Sequence, residues 1–480
     1  MHGKNGIGLR RALREELVII QSCSLSDQLS RDQGCPPFVE VIAQTRIVVA
    51  RQGGGSDFKL THYLGDARLQ RLISLSMREN RDLRIVALNA EAALAQTRIQ
   101  RAQGRPNVNV DMSYTRQRQP AGVAGAGVGL GEGEATGFSF DQFSAQSALT
   151  AFEIDLFGRI KAQNDAANER YFASREGQRA VRLTVIGAVV EAYLAERLAA
   201  EQVALIEATL ADWQASLALT QRLHAAGQAS GIDLAQIEGL MRQAQADLAQ
   251  RERERMQATN ALVLAVGTPL PDDLPDPVEL LQQPIRTSLA PGTPSDLLLR
   301  RPDIAQAEHE LRAANADIGA ARAAFLPRLS LTAAFGFASL ALEKLFQPGN
   351  RSWSYSPSLT APIFRGGELR GSLDLARVRK AAAVATYERT IQTAFREVAD
   401  GLDARATFTS QTKAQQDVVD QAENRARLVK LAYQSGLSAR LELLDAQRTA
   451  YAARQALLVV RRDELSSASA LYRALGGAVD

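Results

Sequence analysis

The placement of proline constrains this chain more than any other feature. Pro36, Pro37, Pro106 and Pro120 come early, and the other twelve of its sixteen prolines fall between Pro269 and Pro362. The stretch between Pro120 and Pro269 and the tail after Pro362 hold none. Because a proline inside a helix costs about 3 kcal/mol, these two stretches are where long helices can form. Within the first, Val203, Ile206, Leu210, Trp213 and Leu217 recur at alternating steps of three and four, the seam of a coiled coil. Ile391, Phe395, Val398 and Leu402 repeat the pattern in the tail. A single helix over residues 163–222 would be about 90 Å long at ~1.5 Å per residue, too long for a compact domain.

Four other segments have period two. Val108, Val110, Met112 and Tyr114 alternate with Asn107, Asn109, Asp111 and Ser113; Leu329, Leu331, Ala333, Phe335 and Phe337 occupy alternate positions. Trp353, Tyr355, Pro357 and Leu359 alternate with Ser354, Ser356 and Ser358. The fourth segment, residues 138–152, carries Phe138 and Phe140 and ends in an alternation of Leu149 and Ala151. Each is expected to be a strand with one apolar and one polar face.

The chain is expected to be an internal two-fold repeat. Asp82 to Pro106 spans the same number of positions as Asp303 to Pro327, and Leu219, Gly227, Leu234 and Gly267 recur at the same spacing as Leu428, Gly436, Leu443 and Gly476. The expected organisation is a divergent segment 1–60, a first repeat 61–269, a Pro-rich linker 270–302 and a second repeat 303–480. Each repeat is helix, β-hairpin (about 106–152 and 327–363), long helix, turn and helix. Residues 122–137, rich in Gly and Ala, lack the spacing of a phosphate-binding loop and are expected to be the first hairpin's tip.

No run approaches the ~18 to 20 apolar residues of a membrane-spanning helix, but a β-barrel spans with alternating segments of ~10 residues that hydropathy averages away. Four strands cannot close a barrel when the smallest have about eight, and open edges are not tolerated in lipid. The chain must then oligomerise: a dimer gives eight strands, a trimer twelve, and periodicity does not choose. A soluble coiled-coil scaffold with two small sheets explains the helix seams but not why the opposite strand faces are small and polar.

Composition removes other classes. A net charge of +3, from 56 Lys+Arg against 53 Asp+Glu, lacks the clustered basic face of a nucleic-acid binder. Cys23 and Cys35 cannot build a disulfide framework, and His2, His62, His224 and His309 are scattered, so no metal site is expected. There is no Gly-x-Ser-x-Gly elbow, His-Glu-x-x-His motif or plausible triad, so neither an enzyme nor a cofactor is expected.

The runs Arg300-Arg301-Pro302-Asp303-Ile304, Ala320 to Pro327 and Ala361-Pro362-Ile363-Phe364-Arg365-Gly366-Gly367 closely resemble the TolC-like outer-membrane efflux channels. The likeness is strongest to the lipoprotein branch serving resistance-nodulation-division pumps. Residues 391–400 and Leu443-Leu444-Asp445-Ala446-Gln447-Arg448 resemble its later signatures, and Phe152 to Arg159 its first-repeat counterpart; the likeness runs from about Tyr63 to Gly477. The resemblance implies a mostly α protein with a membrane β-barrel: a homotrimer whose four strands per chain make a twelve-stranded barrel in outer-membrane lipid. A trimeric α-barrel would continue from it across the periplasm. It further implies a passive exit duct for small molecules, joined by a periplasmic adaptor (membrane fusion) protein to an inner-membrane pump. A type I secretion outlet is the alternative within the family.

Residues 1 to about 60 depart from the family, whose members begin with a signal peptide and, in this branch, a lipid-carrying (palmitate-bearing) cysteine. Cys23 is the candidate lipidation site, but Ile20-Gln21-Ser22-Cys23 is a poor lipobox behind Glu15 and Glu16, and an unmodified cysteine is the favoured expectation. A different natural start, or an upstream frameshift, is expected to account for the difference.

Function is expected at the inner helix ends, where Gly227 and Gly436 reverse the chain and the adaptor would dock. Leu441, Asp445 and Arg448 follow at i, i+4 and i+7 on one helix face. In the resembling family the matching positions line the closed periplasmic aperture. From spacing alone Asp445 and Arg448 are an ordinary i, i+3 surface pair.

Overall fold

The computed structural model describes residues 64–119, 138–285 and 301–477. The first helices are α1 (Ala67–Glu79) and α2 (Arg81–Ala102), followed by strands β1 (Val108–Gln119) and β2 (Phe138–Ile154). Helix α3 (Arg159–Ala225) runs for 67 residues and turns into α4 (Gly231–Val266). After the linker come α5 (Pro302–Ala323), β3 (Arg328–Ser339), β4 (Arg351–Thr360), a second 67-residue helix α6 (Glu368–Gln434), and α7 (Arg440–Ala474). A helix of that length extends about 100 Å.

The absence of proline permits α3, and its seam holds it in place. Val203, Ile206, Leu210 and Trp213 are all buried, the last three in one cluster with Ile237 of α4 and Leu444 of α7. In α6 the buried stripe is displaced from the expected seam: Ile391, Ala394 and Gly401 are buried while Phe395, Val398 and Leu402 are half-buried. The reason is close approach, since a methyl added at Gly401 would lie 2.8 Å from Leu471 Cδ1 of α7. Small side chains let α7 in, and the larger ones are pushed aside.

Helix before hairpin is also not one piece in the first half. Asn80 interrupts it, accepting from the backbone amides of Asp82 and Leu83 to cap α2 while its own amide side chain donates to Ala265. The largest core lies here, where Leu69 and Leu72 of α1, Val189 and Tyr193 of α3, Leu262 of α4, Leu280 of the linker and Leu465 of α7 meet. Burying each such side chain contributes roughly 1.5–3 kcal/mol. The Tyr193 hydroxyl donates to Asp66 at 2.6 Å, and Gln283 donates to the same carboxylate at 2.9 Å. Burial and that carboxylate push the Tyr193 phenol well above its ordinary pKa.

Helices α2, α3, α5 and α6 pack side by side in that order. The strands joined to them form one antiparallel sheet in the matching order β1-β2-β3-β4. Toward the hairpin turns the order becomes α4, α3, α7, α6. Sheet and helices therefore end on the same two edges, β1 with α2 and then α4, and β4 with α6. Among the described residues no helix is long and apolar enough to cross a membrane.

Candidate functional site

Strand register sorts the sheet into two chemically distinct faces. Val110 pairs with Ser147, Ser147 with Phe335 and Phe335 with Trp353, so these four form one row across one face. The rows beside it are Val108, Leu149, Ala333 and Tyr355, and Met112, Ala145, Phe337 and Arg351. This face is largely apolar and lies open on β1 and β4, where Met112 is 75% exposed and Trp353 78%, while Phe337 of β3 packs on Phe346 of the β3–β4 connection. On the other face Asn109, Asp111, Ser113 and Thr115 stand beside Gln142, Ser144, Gln146 and Ala148, with Ser352 to Ser358 at alternate positions of β4. Ser113 and Ser144 join hydroxyls across it at 2.7 Å.

Two expectations for β2 are corrected by this register. Phe140 pairs with Gln117 and so falls on the polar face, opposite in parity to Phe143 and Leu149. The alternation of Leu149 with Ala151 is broken by a bulge, where Ala151 takes a positive φ of 46° and Phe152 resumes the apolar face opposite Leu331. At the base of β2, Glu153 accepts two hydrogen bonds from Arg159, at 2.9 and 2.6 Å, tying strand to helix α3.

At the far end of the helices, Gly227 and Gly436 have φ of 72° and 73°. Each closes its helix identically: Gln228 donates to Leu223 and Leu437 to Ala432, both at 2.8 Å. Only glycine takes this left-handed cap at no steric cost. After the first turn Ser230 caps α4 in a reciprocal box with Asp233, whose carboxyl is held below the usual aspartate pKa by its bonds from Ser230. After the second, no side chain caps α7.

Leu441 is 61% exposed on the first turn of α7. Asp445 accepts from Arg448 at 3.2 Å, the i, i+3 pair expected from spacing, and also from Arg425 of α6 at 3.1 Å. Arg425 escaped the sequence reading, yet it and Asp445 are equidistant from Ser435 at the turn, and in a helical hairpin such positions meet. Arg440, also missed, is buried and joins α7 to Ser216 of α3. Cys23, Cys35 and residues 122–137 lie outside the described residues. Among those described, no group of three or more His, Cys, Asp or Glu is placed to hold a metal.

A sheet with one apolar and one polar face, joined to helices of which none described is long and apolar enough to cross a membrane, fits a channel-type protein of the outer membrane. Residues 72–268 and 293–477 match the family described as outer membrane efflux protein, and the chain belongs to that family. It is 43% identical over 434 residues to the outer membrane protein OprJ of Pseudomonas aeruginosa, covering 90% of this chain and 88% of that one. To the solvent efflux pump outer membrane protein SrpC of Pseudomonas putida it is 42% identical over 420 residues, 87% of each. The crystal structure of a membrane protein from Pseudomonas aeruginosa superposes with a TM-score of 0.81 at 41% identity, covering 89% of this chain and 97% of that one. A coiled-coil scaffold that stays in water is incompatible with these findings.

Proposed function

We propose that three copies of the chain close a twelve-stranded barrel, β1 of one copy pairing with β4 of the next, with α2 and α4 of one copy packing on α6 of its neighbour. The observation that carries this reading is the pair of open edges shared by sheet and helices, beside a lipid-compatible face. Such an interface is head-to-tail, the kind that closes a ring. The edges carry apolar side chains suited to it: Ile85, Leu88 and Ile99 on α2, Ile232, Met256 and Leu264 on α4, and Leu375, Val378, Val418, Leu428 and Leu431 on α6 are exposed.

The assembly is a passive exit duct of a tripartite efflux system. Small molecules supplied by an inner-membrane pump of the resistance-nodulation-division type pass the helical tunnel and then the hydroxyl- and amide-lined barrel. A periplasmic adaptor docks at the tips around Gly227 and Gly436. Threefold symmetry turns Leu441 into an apolar constriction and Asp445 and Arg448 into charged rings at the inner aperture. Each exposed ion pair is worth only ~0–1 kcal/mol, so the latch holds at most a few kcal/mol, within reach of adaptor docking.

Outer-membrane fractionation with gels run with and without heating tests the assembly. A heat-sensitive trimer that sediments with outer membranes is expected. A monomer stable without detergent overturns the reading.

A further inference from the structure

On its two edge strands the apolar sheet face ends in arginines. Along β1 its side chains run Val108, Val110, Met112, Tyr114, Arg116, Arg118, and along β4, in the same direction, Leu359, Pro357, Tyr355, Trp353, Arg351. From Met112 to Arg116 is about 13 Å at ~3.3 Å per residue, the passage from hydrocarbon through an aromatic belt to charge. The aromatic level is built, with the Tyr114 and Phe143 rings 4.9 Å apart between centroids.

The distribution between faces is one-sided. At this end of the sheet Arg116, Arg118 and Arg351 all stand on the apolar face, while the polar face carries Thr115, Gln117, Gln142 and Ser352 and no arginine. Arginines serving only solubility would have no reason to avoid the water-filled side. Arg116 is 3.7 Å from Asp141, which also accepts from the Tyr114 hydroxyl at 2.9 Å. Among the described residues no carboxylate pairs with Arg118 or Arg351, and both are exposed.

We propose that Arg116, Arg118 and Arg351 form a binding site for the phosphates of a phosphorylated glycolipid, lipid A, in the outer leaflet. This rests on the barrel reading above: β1 of one copy pairs with β4 of the next, and where the tip-side ends of the two strands lie level Arg351 stands beside the neighbour's Arg116 and Arg118. The site is then composite, repeated at each junction between copies, with three guanidiniums against one carboxylate. Guanidinium forks match phosphate oxygens two at a time, and the neighbouring Tyr114 and Trp353 lie where acyl chains meet headgroups. The glycolipid would thereby bridge the seam that no single chain can seal.

The test uses the full-length assembly in phosphatidylcholine nanodiscs doped with lipid A, dephosphorylated lipid A or phosphatidylglycerol, with bound lipid counted by native mass spectrometry. Lipid A is expected to be retained in preference to both others. Retention should fall about fivefold for each arginine replaced in the series Arg116→Gln, Arg118→Gln, Arg351→Gln, the effect of one basic side chain at an anionic surface. Arg→Lys replacements at all three positions should keep part of the preference, and Asp141→Asn, which frees Arg116, should increase retention. Equal retention of dephosphorylated lipid A, equal retention of phosphatidylglycerol, or an unaffected triple Gln variant would each overturn the site. The unheated gel separates the two readings: a trimeric wild type without lipid preference loses only this site, whereas a monomeric wild type loses the barrel itself.

Discussion

Arg440 at the start of α7 donates from Nη2 to the carbonyl oxygen of Ser216 in α3 at 3.0 Å, joining the two helical hairpins near their tips. Its Nη1 donates to the Tyr433 hydroxyl at 3.1 Å and its guanidinium lies 5.8 Å from that ring's centroid, while its buried Nε has no partner. Its hydrogen bonds run to neutral acceptors, and the Asp233 carboxylate of α4 offsets part of its charge. Replacing Arg440 with Ala should weaken the junction by about 1.5–3 kcal/mol, the worth of hydrogen bonds to a charged group. Faster amide hydrogen exchange over residues 436–446 is the expected result; unchanged exchange would show that the tie holds nothing.

Asp445 sits between Arg425 and Arg448, and all three are at least two-fifths exposed. Single-channel conductance in planar bilayers should rise in the double variant Asp445→Ala, Arg448→Ala, and by less in Arg425→Ala. The gain should shrink in 1 M salt, where the Debye length falls from about 10 Å to 3 Å. A double variant that conducts like the wild type would overturn the proposed gating role of these residues.

Neighbouring strand positions should respond oppositely to the same substitution. Val110 lies on the apolar face and Asn109 on the polar one. Val110→Arg places a charge in hydrocarbon at a cost of roughly 2–4 kcal/mol near the midplane, so the yield of heat-sensitive oligomer in outer membranes should collapse. Asn109→Arg should assemble normally.

Leu444 is 3% exposed among Ile206, Leu210, Trp213 and Ile237. Truncation to Ala should destabilise the fold by about 2–5 kcal/mol, seen as a lower midpoint in denaturant. Leu441→Ala, at an exposed position, should leave that midpoint within about 0.5 kcal/mol.

Acid should loosen the tip that Asp233 caps. The lowered pKa of Asp233 means that its ionised form stabilises the start of α4 at pH above the ordinary aspartate value of roughly 4. That contribution is lost as pH falls through the lowered value. Hydrogen exchange at residues 231–234, corrected for intrinsic rates, should accelerate between pH 6 and pH 3 in the wild type but not in Asp233→Asn. Equal pH dependence in wild type and Asp233→Asn would disprove the role of the cap.

How legible the chain was depends on the range of the interaction. Helix α3 extends only a few residues beyond the stretch 163–222 expected from its seam, and the apolar faces of β1, β3 and β4 match their alternation. β2 was misread because Phe138, Phe140, Leu149 and Ala151 cannot share one parity, and only pairing with β1 and β3 reveals which pair governs and where the bulge intervenes. The α6 seam shifted because its partner is α7, whose Leu471 needs Gly401 beneath it. The ion pair expected between Asp445 and Arg448 has a third member that spacing does not reveal, since Arg425 belongs to the opposite arm of the hairpin.

The sequence by itself determined the periods, 3.6 against 2, and the proline-free spans that let helices run to 67 residues, because these depend on local backbone geometry and on which side chains repeat along it. It also determined that β1, β3 and β4 would carry one apolar and one polar face. Only the tertiary structure decided that both hairpins join through β2 and β3 into one sheet, leaving β1 and β4 as its edges, and that the helices order themselves to share those edges. It alone placed Arg425 on Asp445 and Arg440 on Ser216. Partners distant in sequence are chosen by packing and register, which no periodicity within a segment encodes.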